Sequence, residues 1–293
     1  MKIFASIHPV VLFIYYISVI FITMFMMHPA ILILSLIGAL MFFVMLEPTK
    51  QFIRDIGFYA LVFLLIAITN PIFVHRGETI LFFLNDNPVT KEAFIYGVVI
   101  ATLLIAIIFW SKSYTLLMTS DKFIYLFGKA IPKLSLIISM ALRFIPLLKT
   151  QMKKVNQTQK TLGIYTSKSM IDRLLSGIRT FNSLLTWSFE NSIIQADSMK
   201  ARGYGLKGRT HISLFKWSFR DYWLLAIIGG IFLVVMYLNI KGVYQFTYYP
   251  LISTFNFSIK HIFELGIIFI LMILPTLIEV KESLQWRYYK SKI

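Results

Sequence analysis

The sequence predicts an all-α integral membrane protein: about six transmembrane helices with a long cytoplasmic insert of amphipathic coupling helices. Three observations lead there. The chain of 293 residues is 58% hydrophobic and 14% charged, with a mean hydropathy of +0.75, whereas soluble domains are nearer about 45 to 50% apolar. Apolar runs near the roughly 20 residues that a bilayer requires recur toward both ends. Between them, from Ser111 to Asp221, the apolar runs shorten and lysines and arginines multiply.

The first span is expected from Val10 to Met27. No small-residue cleavage site follows it, so it reads as a retained span. Pro29 to Leu46 makes the second, joined by the His28-Pro29 hinge as an antiparallel pair. A charged connector with Glu47, Lys50, Arg54 and Asp55 leads to a third span, about Ile56 to Val74. The fourth runs from about Ala93 to Trp110. The link from His75 to Glu92 reads as a polar loop with turn signals at Asn85, Asp86, Asn87 and Pro88. Two more spans, about Tyr222–Ile240 and Ile262–Val280, close the chain around an aromatic loop that carries Tyr244, Phe246, Tyr248 and Tyr249. The expected division is therefore 1–110, 111–221 and 222–293.

Six spans place both termini and the insert on one side. Lys2, Lys50, Arg54 and the tail cations Lys281, Arg287, Lys290 and Lys292 lie with the insert, and only Arg76, Lys91, Lys241 and Lys260 lie opposite. The positive-inside rule then makes the insert and both termini cytoplasmic. The same rule accounts for the net charge of +16 as an excess of cations facing anionic lipid, so nucleic acid is not the expected partner.

Within the insert, two amphipathic helices are expected. In the first, Ile137, Met140, Ala141, Phe144, Leu147 and Leu148 share one face, and Ser135, Ser139 and Arg143 share the other. That run is too short and too charged to span, Pro146 should kink it, and a hydrophilic stem continues to a stop near Gly163. The second runs from about Asp172 to Arg202, with Leu174, Ile178, Phe181, Leu185, Phe189 and Ile193 on one face, and stops at Gly203. On spacing alone, Lys200 and Arg202 complement the helix dipole and Gly203 caps the end.

The chemistry left open is limited. With no cysteine there is no thiolate nucleophile, thiolate metal site or disulfide, and the five histidines are scattered without metal-ligand spacing, so neither a metal nor a cofactor is expected. Gly203 to Thr210 nearly matches a phosphate-binding loop, but a helix precedes it and Arg209 stands where that loop needs lysine. A membrane transferase would need several aspartates at fixed spacing, and Asp197 stands alone. The few acidic residues near the spans lie at their ends, which gives no internal charge relay.

Ala196-Asp197-Ser198-Met199-Lys200-Ala201-Arg202-Gly203-Tyr204 resembles the signature of the transmembrane T component of energy-coupling factor transporters, the family that includes the cobalt-transport membrane subunit. Asn70-Pro71-Ile72-Phe73, His75-Arg76-Gly77, Thr119 to Phe123 and Ser139 to Pro146 also resemble stretches of that family. The resemblance implies a non-catalytic, multi-pass scaffold in a bacterial or archaeal cell membrane. Two coupling-helix tips dock in grooves of a pair of ATP-binding cassette ATPase subunits, and the membrane part holds an S component that captures a vitamin or metal ion. Carried over, Arg202 is the docking cation, Ala201 the close-approach residue and Gly203 the terminator, with Arg143, Pro146 and Asp197 supporting the coupling helices. The first motif departs from the pattern: Lys160-Thr161-Leu162-Gly163 keeps the glycine and lacks the arginine. Either Lys160 supplies a cation or that contact is apolar. A stand-alone permease or membrane enzyme with a lipid-binding basic insert is the alternative reading.

Overall fold

A computed structural model describes residues 4–47, 49–84, 87–128, 131–163, 170–204, 206, 215–253 and 259–290. In chain order its elements are a short 3-10 turn at Phe4–Ser6, α1 (Pro9–Phe25), α2 (Pro29–Leu46), α3 (Thr49–Phe73), β1 (Ile80–Leu84), β2 (Asn87–Thr90), α4 (Lys91–Leu117), α5 (Ser120–Gly128), α6 (Pro132–Thr161), α7 (Met170–Ala201), α8 (Phe219–Ile240) and α9 (Ile259–Lys290). They divide into two compact units. One comprises Met1–Thr119 with Phe215–Ile293, the other Ser120–Leu214.

The first unit is a helical membrane body. Local chemistry sets its helix starts: Pro9 and Pro29 open α1 and α2, where a missing N–H costs nothing. His8 Nδ1 accepts from Val10 N–H at 3.3 Å, and Thr90 Oγ1 accepts from Ala93 N–H at the start of α4. Asp221, in the first turn of α8, accepts from the Ser218 N–H at 2.9 Å and the Ser218 hydroxyl at 2.7 Å. Its other oxygen accepts from His8 N–H at 3.3 Å, which ties the start of α1 to the start of α8.

α2 is the hub, packed against α4 and α9. Gly38 makes the α9 contact possible, since a Cβ there would lie 3.0 Å from both the Met272 Cβ and its carbonyl oxygen. Gly97 does the same for α4 against α3, where a Cβ would stand 2.6 Å from the Ala67 carbonyl oxygen. The core is aromatic, built on Tyr15, Tyr16, Phe42, Phe43, Phe109 and Trp110, all at most 2% exposed. Trp110 Nε1 donates to Ser35 Oγ at 3.0 Å, and Ser35 and Thr23 share a 2.7 Å hydrogen bond. This polar thread links α4, α2 and α1 within the buried core of the body.

Among the described residues, six helical stretches can cross a membrane by length and composition: 29–46, 52–73, 91–117, 133–161, 219–240 and 261–290. Two assignments differ from the sequence reading. Apolar α1 has only 17 residues, because the chain turns at Met26 before Pro29. The stretch 133–161, expected to be interfacial, is long enough to qualify because its apolar first half and hydrophilic stem form one continuous helix through Pro146. Two further boundaries differ. α4 continues to Leu117, past Trp110, and the link expected as a polar loop contains the antiparallel ribbon β1–β2.

Candidate docking site

The second unit holds the candidate site. Gly128 and Ser135 bring α5 close to α6, and Ser135 Oγ donates to the Ile124 carbonyl at 3.3 Å. α6 and α7 pair antiparallel along most of their length. Ser176 Oγ donates to Gln159 Oε1 at 3.0 Å, and Thr180 Oγ1 donates to Asn156 Oδ1 and Gln159 Oε1, each at 3.3 Å. Farther along, Phe144 stacks on Trp187 with ring centroids 5.7 Å apart. Met140 and Ala141 then line a hollow with Gln195, Ala196 and Met199.

The seam therefore takes Met140, Phe144, Leu148, Gln151, Val155 and Gln159 from α6, and Ser176, Thr180, Leu184, Trp187, Asn191 and Gln195 from α7, the more buried positions of each helix. These recur three and four apart, as two packed helices require. Only part of the α7 face singled out in the sequence meets α6, where Phe181 and Leu185 line a hollow with Ile145, Leu148 and Met152. Leu174, Phe181, Phe189 and Ile193 are 67%, 60%, 68% and 64% exposed. Small and polar residues bond across the seam near Gln159, whereas Phe144, Leu148, Leu184 and Trp187 pack along the rest of it, and Leu174, Phe189 and Ile193 face outward.

Both helices end on a left-handed glycine: φ is +71° at Gly163 and +72° at Gly203. At the second end, Tyr204 N–H reaches back to the Met199 carbonyl at 3.1 Å and Gly203 N–H to the Lys200 carbonyl at 2.9 Å. This is the paired bonding of a Schellman stop. It makes Arg202 the residue at the helix boundary, exposed, with Ala201 in the turn before it. At the first end Gly163 N–H bonds the Lys160 carbonyl at 3.1 Å. Counting back from each glycine aligns Lys160 with Lys200, Thr161 with Ala201 and Leu162 with Arg202. Leu162 is 68% exposed, so an apolar side chain stands at the first tip where the guanidinium stands at the second. Lys160 is exposed one turn position earlier.

Because the helices run antiparallel, the two glycine-stopped ends lie at opposite ends of the pair. Gln159 is level with Ser176, and Gly203 lies 27 positions beyond Ser176, so at 1.5 Å per residue the tips are on the order of 40 Å apart. Arg143, Pro146 and Asp197 are exposed and outside the seam, and neither Arg143 nor Asp197 forms an ion pair among the described residues. The phosphate-loop look-alike is preceded by α7, not by a strand, and Gly205 with residues 207–210 lies outside the described residues. Among the described residues, no three histidine, aspartate or glutamate side chains converge as a metal would need.

The seam was the feature that sequence reasoning missed. Its signal was present as small or amide side chains at Ser176, Thr180, Asn191 and Gln195, spaced along one side of a helix whose other side is conspicuously apolar.

A polytopic helical membrane body, together with a second helical unit whose two long helices each end on a left-handed glycine, defines the class of this protein. The chain belongs to the cobalt transport protein family, whose model CbiQ matches residues 4–212. It is 30% identical over 183 residues to the energy-coupling factor transporter transmembrane protein EcfT of Listeria innocua serovar 6a, covering 57% of this chain and 69% of that one. The protein of the same name from Streptococcus equi subsp. equi is 30% identical over 176 residues, 55% of this chain and 65% of that one. The one from Staphylococcus aureus is 28% identical over 193 residues, 62% and 72% respectively. The resemblance read from the Ala-Arg-Gly signature is thus borne out at the level of the family.

Proposed function

We propose that this chain is the non-catalytic coupling subunit of an energy-coupling factor importer. It carries ATP-driven motion from a pair of ATPase subunits, through α6 and α7, to an S component that captures a vitamin or metal ion. The observation that carries the reading is the pair of Gly163 and Gly203 stops at opposite ends of one antiparallel helix pair. A single rigid strut with two tips on the order of 40 Å apart suits a dimeric motor with one groove per subunit. Closing the dimer would push on both ends of the strut at once.

The tips are unequal in chemistry. Arg202 offers a planar guanidinium that can take a carboxylate in a bidentate pair in a confined groove. Losing one member of such a buried pair typically costs about 2 to 5 kcal/mol of binding. Leu162, at the matching position, offers an apolar contact, with Lys160 set one turn position back as a point charge. The proposed asymmetry fits two non-identical ATPase grooves, one acidic and one apolar. Cations elsewhere in the insert face the cytoplasmic leaflet, and both termini lie on the same side.

Co-purification tests the reading. Arg202→Glu should strip the ATPases from the membrane subunit and abolish ATP-dependent uptake, and Arg202→Ala should impair coupling more than Lys160→Ala. An intact complex with full uptake in Arg202→Glu would refute the docking assignment.

A further inference from the structure

The ribbon between α3 and α4 has a feature that the coupling role does not use. β1 pairs antiparallel with β2, with Ile80 opposite Thr90, Phe82 opposite Val89 and Phe83 opposite Pro88. The β2 side is tied to the body. Val89 and Thr90 are buried, Thr90 Oγ1 donates to the Arg76 carbonyl at 2.7 Å, and Thr79 Oγ1 donates to Glu92 at 2.7 Å. The β1 side is not. Ile80, Leu81, Phe82 and Phe83 are consecutive, all large and apolar, and 52%, 58%, 54% and 66% exposed.

The register is irregular between Ile80 and Phe82 and regular beyond it; successive side chains there point to opposite faces, so Phe82 and Phe83 make both faces of β1 apolar and open. A protein docked on a ribbon covers one of its faces and leaves the other in water. A fluid apolar medium covers both. The preceding helix points to the same medium: Leu61, Leu65 and Ile68 of α3 are exposed, and its last residue, Phe73, is 76% exposed. This lipid-facing stripe leads along the chain to the ribbon.

The depth follows from hydrogen bonding. Among the described residues the sheet has two strands, so one edge of β1 carries backbone N–H and C=O groups without a ladder partner there, which the hydrocarbon centre does not tolerate. The turn sequence Asn85-Asp86-Asn87 is polar, and so is the approach through His75, Arg76 and Glu78. With both ends polar and the middle apolar, the ribbon cannot plunge tip-first.

We infer that β1–β2 is an interfacial membrane anchor, lying along the boundary between headgroups and acyl chains at the end of α3, with lipid as its partner. It fixes the depth of the α3–α4 end of the body in the leaflet it occupies.

The absence of cysteine makes the test clean. Phe82→Cys and Phe83→Cys, in the regular part of the register, place labels on opposite faces of β1. Each full-length variant is labelled with an environment-sensitive fluorophore and reconstituted in phosphatidylcholine–phosphatidylglycerol vesicles containing lipids spin-labelled near the headgroup or near the bilayer centre. Both positions should be shielded from aqueous iodide, and the headgroup-proximal label should quench both at least about twofold more than the central one, as expected of interfacial burial. Iodide access at both positions would overturn the inference in favour of a solvated loop. Lipid quenching at only one position would overturn it in favour of a protein docking face. Stronger quenching from the bilayer centre at both positions would overturn the proposed depth.

Discussion

Replacing Gly203 probes the coupling tip without touching any proposed contact atom. The residue sits at φ +72°, and a side chain there costs about 1 to 2 kcal/mol in the left-handed region. The added Cβ would also meet Leu206 Cδ1 at 3.1 Å, a flexible atom that can give way. If ATPase binding requires the turn that presents Arg202, Gly203→Ala should weaken it by that same energy, about 5- to 30-fold. Gly203→Asn should weaken it least, because asparagine tolerates the left-handed region, and Gly203→Val most, because branching at Cβ does not. The assay is the affinity of the membrane subunit in nanodiscs for the purified ATPase pair. Asparagine as damaging as valine, or alanine without effect, would refute the claim that the Schellman stop holds Arg202 for docking.

Ser35→Ala removes the hinge of the Trp110–Ser35–Thr23 thread and should lower stability by about 1 to 2 kcal/mol, within the range found for hydrogen bonds between membrane helices; thermal unfolding in detergent measures it. Gly38→Val forces a side chain against the Met272 backbone and should cost about 1 to 3 kcal/mol by overpacking, seen as a lower melting temperature with α2 and α9 displaced. Leu162→Arg should strengthen binding to an acidic groove and weaken it to an apolar one, so its affinity for the ATPase pair reads the chemistry of the first contact. His28, just before α2, has its pKa lowered from the ordinary 6.5, chiefly by burial and further by nearby His261. The folded state thus favours the neutral imidazole, and the unfolded state takes up the proton first as pH falls. Stability should hold above about pH 6.5 and decline as the pH drops below it, and His28→Gln should flatten that decline.

The membrane body was largely legible in the sequence because lipid imposes one dominant constraint, a long apolar helix, and Pro29 marks where α2 begins. What remained illegible depended on pairing. The ribbon was hidden because Asn85 to Pro88 signals a turn whether or not the flanking residues pair, and because β1 lacks the apolar–polar alternation of a half-buried strand. In α7 the apolar side chains Phe181 and Phe189 drew attention to a face that stays mostly exposed. The partner face mixes Leu184 and Trp187 with serine, threonine and amides, residue types that also mark solvated surfaces. The two stops, by contrast, could be read directly, since glycine after a cationic helix end has a local cause. Their placement at opposite ends of one strut needed the antiparallel register of Gln159 with Ser176.

Cross-linking tests the central claim most directly. In a chain without native cysteine, Leu162→Cys and Tyr204→Cys flank the two stops, and a cysteine-reactive photo-cross-linker at each captures whatever lies in contact. The account predicts that each position cross-links one ATPase subunit, and that the double variant yields a product joined to both subunits of the pair. Both positions captured by a single subunit, or neither captured by an ATPase in an actively transporting complex, would contradict it.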